Sequence, residues 1–428
     1  MEVAVLGSGF SGIACAYYLN KSGFKVTVIE KDNKIGGVAG SEEFDAYTLD
    51  FGPHIIGLDA EKTISILNDM APEMSIIRKR IKNSLWYKGS IYTFDFPGLV
   101  KMAVKMGRKT PSLARFYLKS ALNMKSWKDE DAESWLKRSF GEELYKDVFS
   151  PITEWKISSM KNVPASWVAT RLAGMTKTGK LYGYPSVGGF GAITENVSRG
   201  LEKNGVKFVK GVDVSEITMR NEKFSVYTNT DKKDEDKKKI FDAVISTIPP
   251  SSLKTVSPEI WQLISKPIKN ISYKKSAIGY YAVKKKERWK MNYCTFFPSD
   301  FTFKRLTRTT YYTYNIVPKD VELFCIDNYI PEDSKLNKER YDRDSIEKLE
   351  TLFRGFEKDV VWKRFIECKY ANPIQPKEYW SEEIERTPIK GFGLAGYYLP
   401  TTPIIDSGLE ACAKSAFSTV NKLIKQLK

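Results

Sequence analysis

The chain has 428 residues, of which 68 are Lys or Arg and 52 are Asp or Glu, so its formal net charge is +16. This excess of positive charge suggests either an anionic partner or an ordinary lysine-rich surface. Five scattered cysteines without a Cys-x-x-Cys pair argue against a disulfide framework or zinc site, and a single histidine excludes a histidine-rich centre, so we predict no metal. No apolar run reaches the roughly 18 residues of a transmembrane helix, and no signal peptide precedes the first predicted strand, so we expect a cytoplasmic protein.

The first forty residues predict a dinucleotide-binding βαβ unit. Apolar residues 3–6 indicate a buried strand, Gly-Ser-Gly-Phe-Ser-Gly follows at 7–12, and residues 13–19 continue as a helix. In this motif the first glycine allows a tight turn, the second lets the backbone approach a pyrophosphate, and the third lets the helix pack closely. A second strand at 25–29 ends on Glu30, whose carboxylate is placed to accept hydrogen bonds from ribose hydroxyls and disfavours NADP.

A second glycine pair and a Gly-Pro-His turn follow this unit. Gly36 and Gly37 stand six residues beyond Glu30, and residues 50–54 read Asp-Phe-Gly-Pro-His. Together these motifs resemble the FAD-binding half of the amine oxidase superfamily, whose members include protoporphyrinogen oxidases, carotenoid desaturases and UDP-galactopyranose mutases. The resemblance implies FAD rather than NAD as the cofactor, with Gly36-Gly37 making a second close backbone approach to it.

The resemblance continues in order through the middle of the chain. A strand pair near 86–92 and a helical stretch at 133–141 resemble the substrate domain of the family. Arg171 occupies the position of an arginine that binds substrate in the sugar mutases. Residues 184–191 resemble the point where the chain re-enters the FAD domain, and in relatives the backbone near Val214 meets the adenine.

Patterning predicts several further elements. The nearly all-charged run 231–239 indicates the tip of a hairpin between a strand at 224–227 and the strand that contains Val244. Strand-like aromatic alternation between about 265 and 370 predicts a sheet over the flavin, with a helix near 345–355. Apolar residues spaced by three or four over 409–427 predict a core-facing helix.

These observations predict an α/β fold in which a Rossmann-like FAD-binding domain is interleaved with an α+β substrate-binding domain. We expect the FAD-binding domain to be discontinuous, and we assign the remaining two segments to the substrate domain. The FAD-binding segments are 1–75, 185–262 and 375–428, and the substrate segments are 76–184 and 263–374.

The motif and the resemblance together predict the residues that contact the cofactor. The predicted cofactor contacts are Gly7, Gly9, Phe10, Ser11, Gly12, Glu30, Lys31, Gly36, Gly37, Gly52, Pro53, His54, Val214, Gly396, Tyr397, Ile405, Asp406, Ser407 and Gly408. Many relatives carry Asp directly after the equivalent of Gly396, and this chain departs from them with Tyr397. The catalytic candidates are His54, either a hydrogen-bond donor near the flavin or a structural residue, and Arg171, either a clamp for a substrate anion or a surface ion-pair residue.

Two other stretches suggest ligands of their own. Residues 174–180 match the first seven positions of a P-loop, but Leu181 replaces the hydroxyl residue that should hold magnesium, so we interpret the match as coincidental. The stretch 96–128 contains no acidic residue and has an amphipathic pattern. Its residues 97–125 predict either surface helices packed on the substrate domain, or a basic platform for an anionic membrane or a phosphorylated substrate.

The predicted activity is that of an FAD-dependent oxidoreductase that transfers a hydride between a bound organic substrate and flavin N5. The main alternative is a sugar ring isomerase like UDP-galactopyranose mutase, which uses reduced FAD; a flavin-stabilised scaffold or sensor is a third. Against the mutase, this chain has Gly57 where mutases carry a second histidine, and Tyr397 near the place of their C-terminal arginine. We expect a small-molecule substrate, anionic or neutral, and no nucleic-acid partner; the substrate, the electron acceptor and the oligomeric state are left open.

Overall fold

The computed structural model describes residues 1–105, 130–157, 159–169, 181–230, 238–289, 291–298, 301–380, 384–399 and 408–428. Its strands in chain order are β1 Glu2–Leu6, β2 Lys25–Ile29, β3 Ser41–Phe44, β4 Tyr47–Asp50, β5 Ile56–Gly57, β6 Ile76–Arg80, β7 Asn83–Tyr87, β8 Ser90–Thr93, β9 Leu181–Pro185, β10 Lys207–Val209, β11 Val212–Arg220, β12 Lys223–Thr230, β13 Lys239–Phe241, β14 Ala243–Ser246, β15 Ser272–Lys284, β16 Cys294–Phe296, β17 Arg305–Arg308, β18 Val321–Pro331, β19 Val360–Ile374 and β20 Phe392–Leu394. Its α-helices are α1 Phe10–Lys21, α2 Glu61–Met70, α3 Phe96–Lys105, α4 Ala132–Phe140, α5 Glu142–Leu144, α6 Ser150–Glu154, α7 Ala192–Lys203, α8 Pro250–Val256, α9 Pro258–Leu263, α10 Lys266–Lys269, α11 Lys338–Leu352, α12 Phe356–Asp359 and α13 Leu409–Leu427, with a π-helical turn at Tyr145–Phe149.

A five-stranded parallel sheet carries the opening motif. Its strand order is β10-β2-β1-β14-β20, and every neighbouring pair is parallel. The central strands are continuous apolar runs because both faces of the sheet are covered. The order reverses on either side of β1, so a ligand crevice opens at the carboxyl ends of β1 and β14. This arrangement confirms the predicted Rossmann-like architecture.

Each face of the parallel sheet packs against a different layer. On one face Val3, Val5 and Ile245 join a core formed by α1, α2, α7 and α13. On the other face Ala4 and Leu6 pack against the antiparallel sheet β11-β12-β13 and against α8 to α10. The first helix therefore lies between β1 and the C-terminal helix, and its N-terminus points to the crevice.

A seven-stranded mixed sheet forms the second half of the molecule. Its order is β19-β15-β18-β17-β16-β7-β8, and the pair β16–β7 is parallel while the others are antiparallel. One face packs against the hairpin β3–β4, which belongs to the N-terminal part of the chain. The other face packs against α11 and α12. The chain therefore passes back and forth between the two sheets, as the predicted interleaving requires; the exact domain bounds stay a prediction.

Several predicted elements have different bounds or partners in the structure. The helix predicted near 345–355 begins earlier, at Lys338, where the side chain of Asn337 accepts the backbone N–H of Arg340 and caps it. The strand at 224–227 pairs with β13 rather than with the strand that contains Val244. The chain changes sheet at Asp242, whose carboxylate accepts the backbone N–H of Glu2 at 2.7 Å. Residues 231–237 of the predicted hairpin tip lie outside the described residues.

The C-terminal helix is fixed by a hydrogen-bonded carboxylate. Helix α2 has no side-chain cap of its own, and Glu410 of α13 accepts the backbone N–H groups of Lys62 and Thr63 at 3.2 and 2.9 Å. The same carboxylate accepts the Thr63 hydroxyl at 2.9 Å. Because these donors would otherwise lack acceptors, Glu410 ties α13 to the segment that follows the Gly-Pro-His turn.

None of the described helices combines the length and apolar character needed to cross a bilayer.

Candidate functional site

The first glycine turn is shaped by close backbone packing. Gly7 has a φ of +93°, and its N–H donates to the carbonyl of Ile29 at 2.8 Å. A Cβ on Gly12 would stand 1.9 Å from the carbonyl oxygen of Gly7. The turn therefore requires glycine at both positions, one for its conformation and the other for the space it leaves.

The N-terminus of α1 offers backbone donors to a ligand. Gly9 precedes the helix without a side-chain cap, and the hydrogen bonds of the described residues leave the N–H groups of Ser11 and Gly12 without a protein acceptor. A Cβ on Gly9 would meet no atom within 4 Å, so open space lies directly in front of this backbone. Free N–H groups at a positive helix end beside open space fit the pyrophosphate of a dinucleotide.

A second glycine turn lies against the first one. Gly36 has a φ of +121°, and its N–H donates to the carbonyl of Ser8 at 3.1 Å. A Cβ on Gly37 would lie 3.3 Å from the Cα of Gly9, and one on Gly36 would lie 2.7 Å from the Thr194 hydroxyl oxygen. The two turns thus form one backbone surface, as expected for two close approaches to a single cofactor.

Glu30 is a buried part of this surface. Its carboxylate accepts the backbone N–H and the hydroxyl of Ser8, both at 2.7 Å, and the backbone N–H of Asp32 at 3.0 Å. These bonds fix the loop between the first two glycines, a role that the sequence did not reveal. Lys31 beside it is exposed, and Val214 lies at a β-bulge in β11. The contacts of Glu30, Lys31 and Val214 with the cofactor stay predictions.

The Gly-Pro-His turn brings His54 against an aromatic ring. The imidazole stacks on Phe190 with centroids 5.0 Å apart, and its Nδ1 is enclosed without a hydrogen-bond partner among the described residues. Burial is the main reason that the pKa of His54 is lowered to about 4, and the positive charges of Arg305 and Lys156 lower it further. The ring is therefore neutral near pH 7, and one nitrogen can donate a hydrogen bond while the other accepts one.

Aromatic side chains from three segments continue this wall. Tyr184 lies 5.6 Å from Tyr312 in a stacked pair, and Tyr293 meets Tyr312 edge-on at 5.8 Å. The hydroxyl of Tyr312 is buried and has no partner among the described residues. Tyr184 and Phe190 come from the segment predicted to re-enter the cofactor domain, while Tyr293 and Tyr312 flank β16 and β17. The wall therefore lies where the two halves of the chain meet.

A buried ion pair lies beside this wall. The guanidinium of Arg305 donates to both carboxylate oxygens of Asp327 at 2.8 and 2.7 Å, and it lies 5.6 Å from the ring of Trp155. Both side chains of the pair are almost fully buried, so the two charges compensate each other in a region with little water. Arg305 stands within a run of aromatic residues, and no sequence signal distinguished it from a surface cation.

Two side chains of the large sheet fix the turn that carries Trp155. The ammonium of Lys274 donates to the carbonyls of Glu154 and Ile157 at 2.8 Å, which caps the C-terminus of α6. The amide of Asn372 donates to the carbonyl of Lys156 at 2.6 Å. The turn that carries Trp155, which lies under Arg305, and Lys156, whose charge acts on His54, is therefore supported by β15 and β19.

The remaining predicted site residues are divided between described and undescribed parts of the chain. The N–H of Gly396, just after β20, donates to the hydroxyl of Ser415 in α13 at 3.0 Å. A Cβ on Gly396 would enter the ring of Tyr398, so this segment is closely packed. Tyr397 is partly exposed, and Gly408 directly precedes α13. Arg171, Ile405, Asp406, Ser407 and the P-loop-like residues 174–180 lie outside the described residues.

Comparisons with known proteins agree with this architecture. The family model for flavin-containing amine oxidoreductases matches residues 10–406. The chain is 28% identical to the 1-hydroxycarotenoid 3,4-desaturase of Flavobacterium sp. over 148 residues. The aligned region covers 32% of this chain and 30% of the desaturase. The matches to the first three curated relatives span 54%, 30% and 11% of their lengths.

Solved structures share the fold over almost the whole chain. An oxidoreductase from Methanosarcina mazei superposes with a TM-score of 0.74 at 17% identity and covers 98% of this chain and 99% of its own. A reduced UDP-galactopyranose mutase superposes with a TM-score of 0.67 at 17% identity and covers 86% of this chain and 82% of its own. At these identities the likeness establishes the fold alone.

Alanine at Gly9 and at Gly12 should separate cofactor binding from folding. Gly9→Ala places a methyl group in open space, so we expect the unfolding free energy to change by less than about 0.5 kcal/mol while FAD binds roughly tenfold more weakly or worse. Gly12→Ala drives a methyl group into the Gly7 carbonyl and should cost about 1–3 kcal/mol of stability. Urea unfolding and flavin fluorescence quenching measure the two effects. Wild-type FAD affinity in Gly9→Ala would contradict the assigned pyrophosphate position.

Replacing His54 should change how stability depends on pH. Because the pKa of His54 falls from 6.5 to about 4 on folding, the unfolded chain binds more protons in that interval, and stability is lost as the pH drops through it. His54→Gln removes this titration, so the variant should lose less stability between about pH 7 and about pH 4.5, by on the order of 1–3 kcal/mol. Urea unfolding at both pH values measures the difference. An equal loss in both proteins would show that the imidazole is not desolvated.

Proposed function

Because the chain belongs to the flavin-containing amine oxidoreductases, we propose that it oxidises a bound organic substrate by hydride transfer from a carbon atom to N5 of its FAD. FAD supplies the electron-accepting ring when bound, and the protein supplies binding, orientation and electrostatics. The observation that carries the proposal is the enclosed aromatic wall around His54, described above. Its residues come from both halves of the chain and stand beside the two glycine turns.

The chemistry of this wall supports hydride transfer. His54 is neutral at pH 7, and Arg305, a cation of the large sheet whose charge lowers the pKa of His54, is paired with Asp327 on both carboxylate oxygens. A neutral histidine beside buried aromatic rings limits the access of water to the reacting atoms, and the reaction needs no charged nucleophile from the protein. Tyr184, Phe190 and Tyr312 offer flat faces against which an unsaturated or aromatic substrate can be oriented.

His54 and Arg171 have different roles in this proposal. The unpartnered Nδ1 of His54 can make a hydrogen bond with the substrate or the cofactor, which would orient it against the wall. Arg171 would bind a carboxylate or phosphate on the part of the substrate that does not react. The 28% identity to a carotenoid desaturase supports oxidation at a C–H bond as the reaction type.

The sugar-mutase alternative has less support from the site. Gly57, at the position of the second mutase histidine, lies in β5 and pairs with Tyr182, so no side chain is available there. Tyr397 stands near the place where the mutases carry an arginine. The structural likeness to a reduced mutase concerns the fold and does not extend to these side chains.

An anaerobic reduction assay tests the proposed reaction. The holoenzyme is mixed with an aliphatic amine, a porphyrinogen and a hydroxylated carotenoid, and the visible flavin absorbance is followed. We expect at least one compound class to bleach the flavin, and His54→Gln to slow bleaching about tenfold because one hydrogen bond is lost. Two results would overturn the proposal: protein that binds no flavin after reconstitution, or reduced enzyme that interconverts UDP-galactopyranose and its furanose form.

We also propose that the surface around α3 contacts an anionic membrane. Ile91 in β8 is 54% exposed and Val104 is 63% exposed, while Lys101 and Lys105 on α3 are exposed as well. Lys105 donates to the hydroxyl of Ser90 at 2.7 Å, which joins the helix to the hairpin tip. Exposed apolar side chains among lysines suit the headgroup region of an anionic bilayer. Residues 106–129 of the predicted platform lie outside the described residues.

Flotation with vesicles of anionic phospholipid tests this contact. The double variant Lys101→Glu/Lys105→Glu should lose flotation because it reverses the charge of the proposed surface. The double variant Lys254→Glu/Lys425→Glu, which makes the same change in net charge on other exposed lysines, should float as the wild type does. If both double variants lose flotation equally, net charge alone explains the binding and the proposed surface is wrong. If the wild type does not float, the protein does not contact the membrane in this way.

A further inference from the structure

A buried carboxylate joins the cofactor turns to the aromatic wall. Asp50 is 2% exposed, and its Oδ1 accepts the Ser41 hydroxyl at 2.6 Å and the backbone N–H of Phe190 at 2.8 Å. Its Oδ2 accepts the hydroxyl of Tyr184 at 2.7 Å, and its backbone carbonyl accepts the hydroxyl of Tyr280 at 2.8 Å. Three other segments, which contain Ser41, Tyr184 with Phe190, and Tyr280, therefore meet at this one residue.

Each of these contacts supports a part of the proposed site. The Ser41 hydroxyl also accepts the N–H of Gly191 at 2.7 Å, so it connects the end of the Gly36–Gly40 turn with the start of α7. Phe190 carries the ring that stacks on His54, and Tyr184 carries the ring that stacks on Tyr312. Asp50 itself lies four residues before His54 at the end of β4. Its carboxylate thus sets the positions of Phe190, which stacks on His54, and of Tyr184, which stacks on Tyr312.

The packing around Asp50 leaves little freedom for another arrangement. A Cβ on Gly189 would stand 2.8 Å from Oδ1 of Asp50 and 2.7 Å from the Ser41 hydroxyl oxygen. Gly189 has a φ of +65°, so the loop reaches the carboxylate only because this residue has no side chain. The N–H of Phe190 cannot rotate to find another acceptor, unlike the two hydroxyls.

We propose that Asp50 is a positioning residue, which in its charged form aligns His54, Phe190 and Tyr184 with the flavin-binding turns and thereby makes the flavin environment sensitive to its protonation. This inference rests on the proposed function for the location of the flavin, but it concerns the bound cofactor and not the reaction with substrate. Asp50 acts through its neighbours and need not touch the reacting atoms.

The charge state of Asp50 changes in an accessible range of pH. Burial raises the pKa of its carboxyl to about 6, against the opposing effect of the hydrogen bonds from Ser41, Phe190 and Tyr184. The titratable groups that interact electrostatically with it are the hydroxyls of Tyr184, Tyr280 and Tyr293 and the thiol of Cys325. Burial raises the pKa of each of these four groups well above its usual range, so they stay neutral near pH 6.

Protonation should weaken the alignment for a simple reason. A carboxylate accepts all three donors with charge-assisted hydrogen bonds, while the neutral acid must donate its own proton to one of its neighbours. His54 does not interfere in this window, because its pKa of about 4 keeps it neutral. The bound flavin should therefore show a single transition centred near pH 6.

The test is a pH titration of the visible circular dichroism of the FAD-loaded protein between about pH 5 and about pH 8. We expect one transition near pH 6 in the wild type and none in Asp50→Asn, which keeps the shape of the side chain without its charge. Asp147→Asn is the matched control, because Asp147 also accepts a tyrosine hydroxyl, that of Tyr87, at 2.8 Å but belongs to the helical part of the substrate half. This control should keep the wild-type transition.

Two further variants keep the proposal testable if Asp50→Asn does not fold. Tyr184→Phe and Ser41→Ala each remove a hydrogen bond that lowers the pKa of Asp50, so both should move the transition to higher pH. A role limited to stability would lower the melting temperature without moving the transition. The proposal is overturned if the wild-type flavin shows no transition, or if the transition persists in Asp50→Asn or stays in place in both other variants. A protein that binds FAD but oxidises none of the tested compounds would count against the proposed function and leave this titration interpretable.

Discussion

The contact between two glycine turns is the constraint on which the rest of this structure depends. The turn at Gly7–Gly12 and the turn at Gly36–Gly37 approach each other so closely that a Cβ on Gly37 would lie 3.3 Å from the Cα of Gly9. Glu30 fixes the first turn through Ser8, and the N–H of Gly36 fixes the second turn on the same residue. A continuous surface of backbone donors results, which is what the phosphates of FAD require.

The substrate half is attached to this surface by few but buried polar contacts. Asp50 connects the segment before His54 with Tyr184 and Phe190, and Glu410 connects α13 with α2. In the large sheet Arg305 is neutralised by Asp327, and Arg308 by Glu322, which is 1% exposed. Each of these charges has hydrogen-bonding partners, as a buried charge must have. Asp50 bridges the two halves, because its carbonyl also accepts the hydroxyl of Tyr280 in β15, while the other pairs hold elements together within one half.

The family fold carries several chemistries, so the activity must be inferred from the site. A neutral histidine, a wall of aromatic rings and compensated buried charges favour transfer of a hydride over reactions that need a charged nucleophile. Only some of these site residues could be predicted from the sequence. His54 was found through its motif, and Asp50 stood in the same motif without being selected. Arg305, Tyr293 and Tyr312 had no signal, because aromatic residues and single cations in strands are ordinary components of a core or surface.

The sequence by itself determined the cofactor, the Rossmann-like architecture and the interleaving of the two halves. Glycine spacing, the acid at the end of β2 and the apolar strand runs depend on neighbours within about thirty residues, and such local constraints can be read along the chain. Only the tertiary structure decided that Glu30 is bound to Ser8, that β12 pairs with β13, and that Asp50 meets Tyr184 and Phe190. Asp50 and Phe190 are separated by 140 positions. Whether a buried carboxylate finds partners at such a distance depends on how the sheets pack, and no local pattern records it.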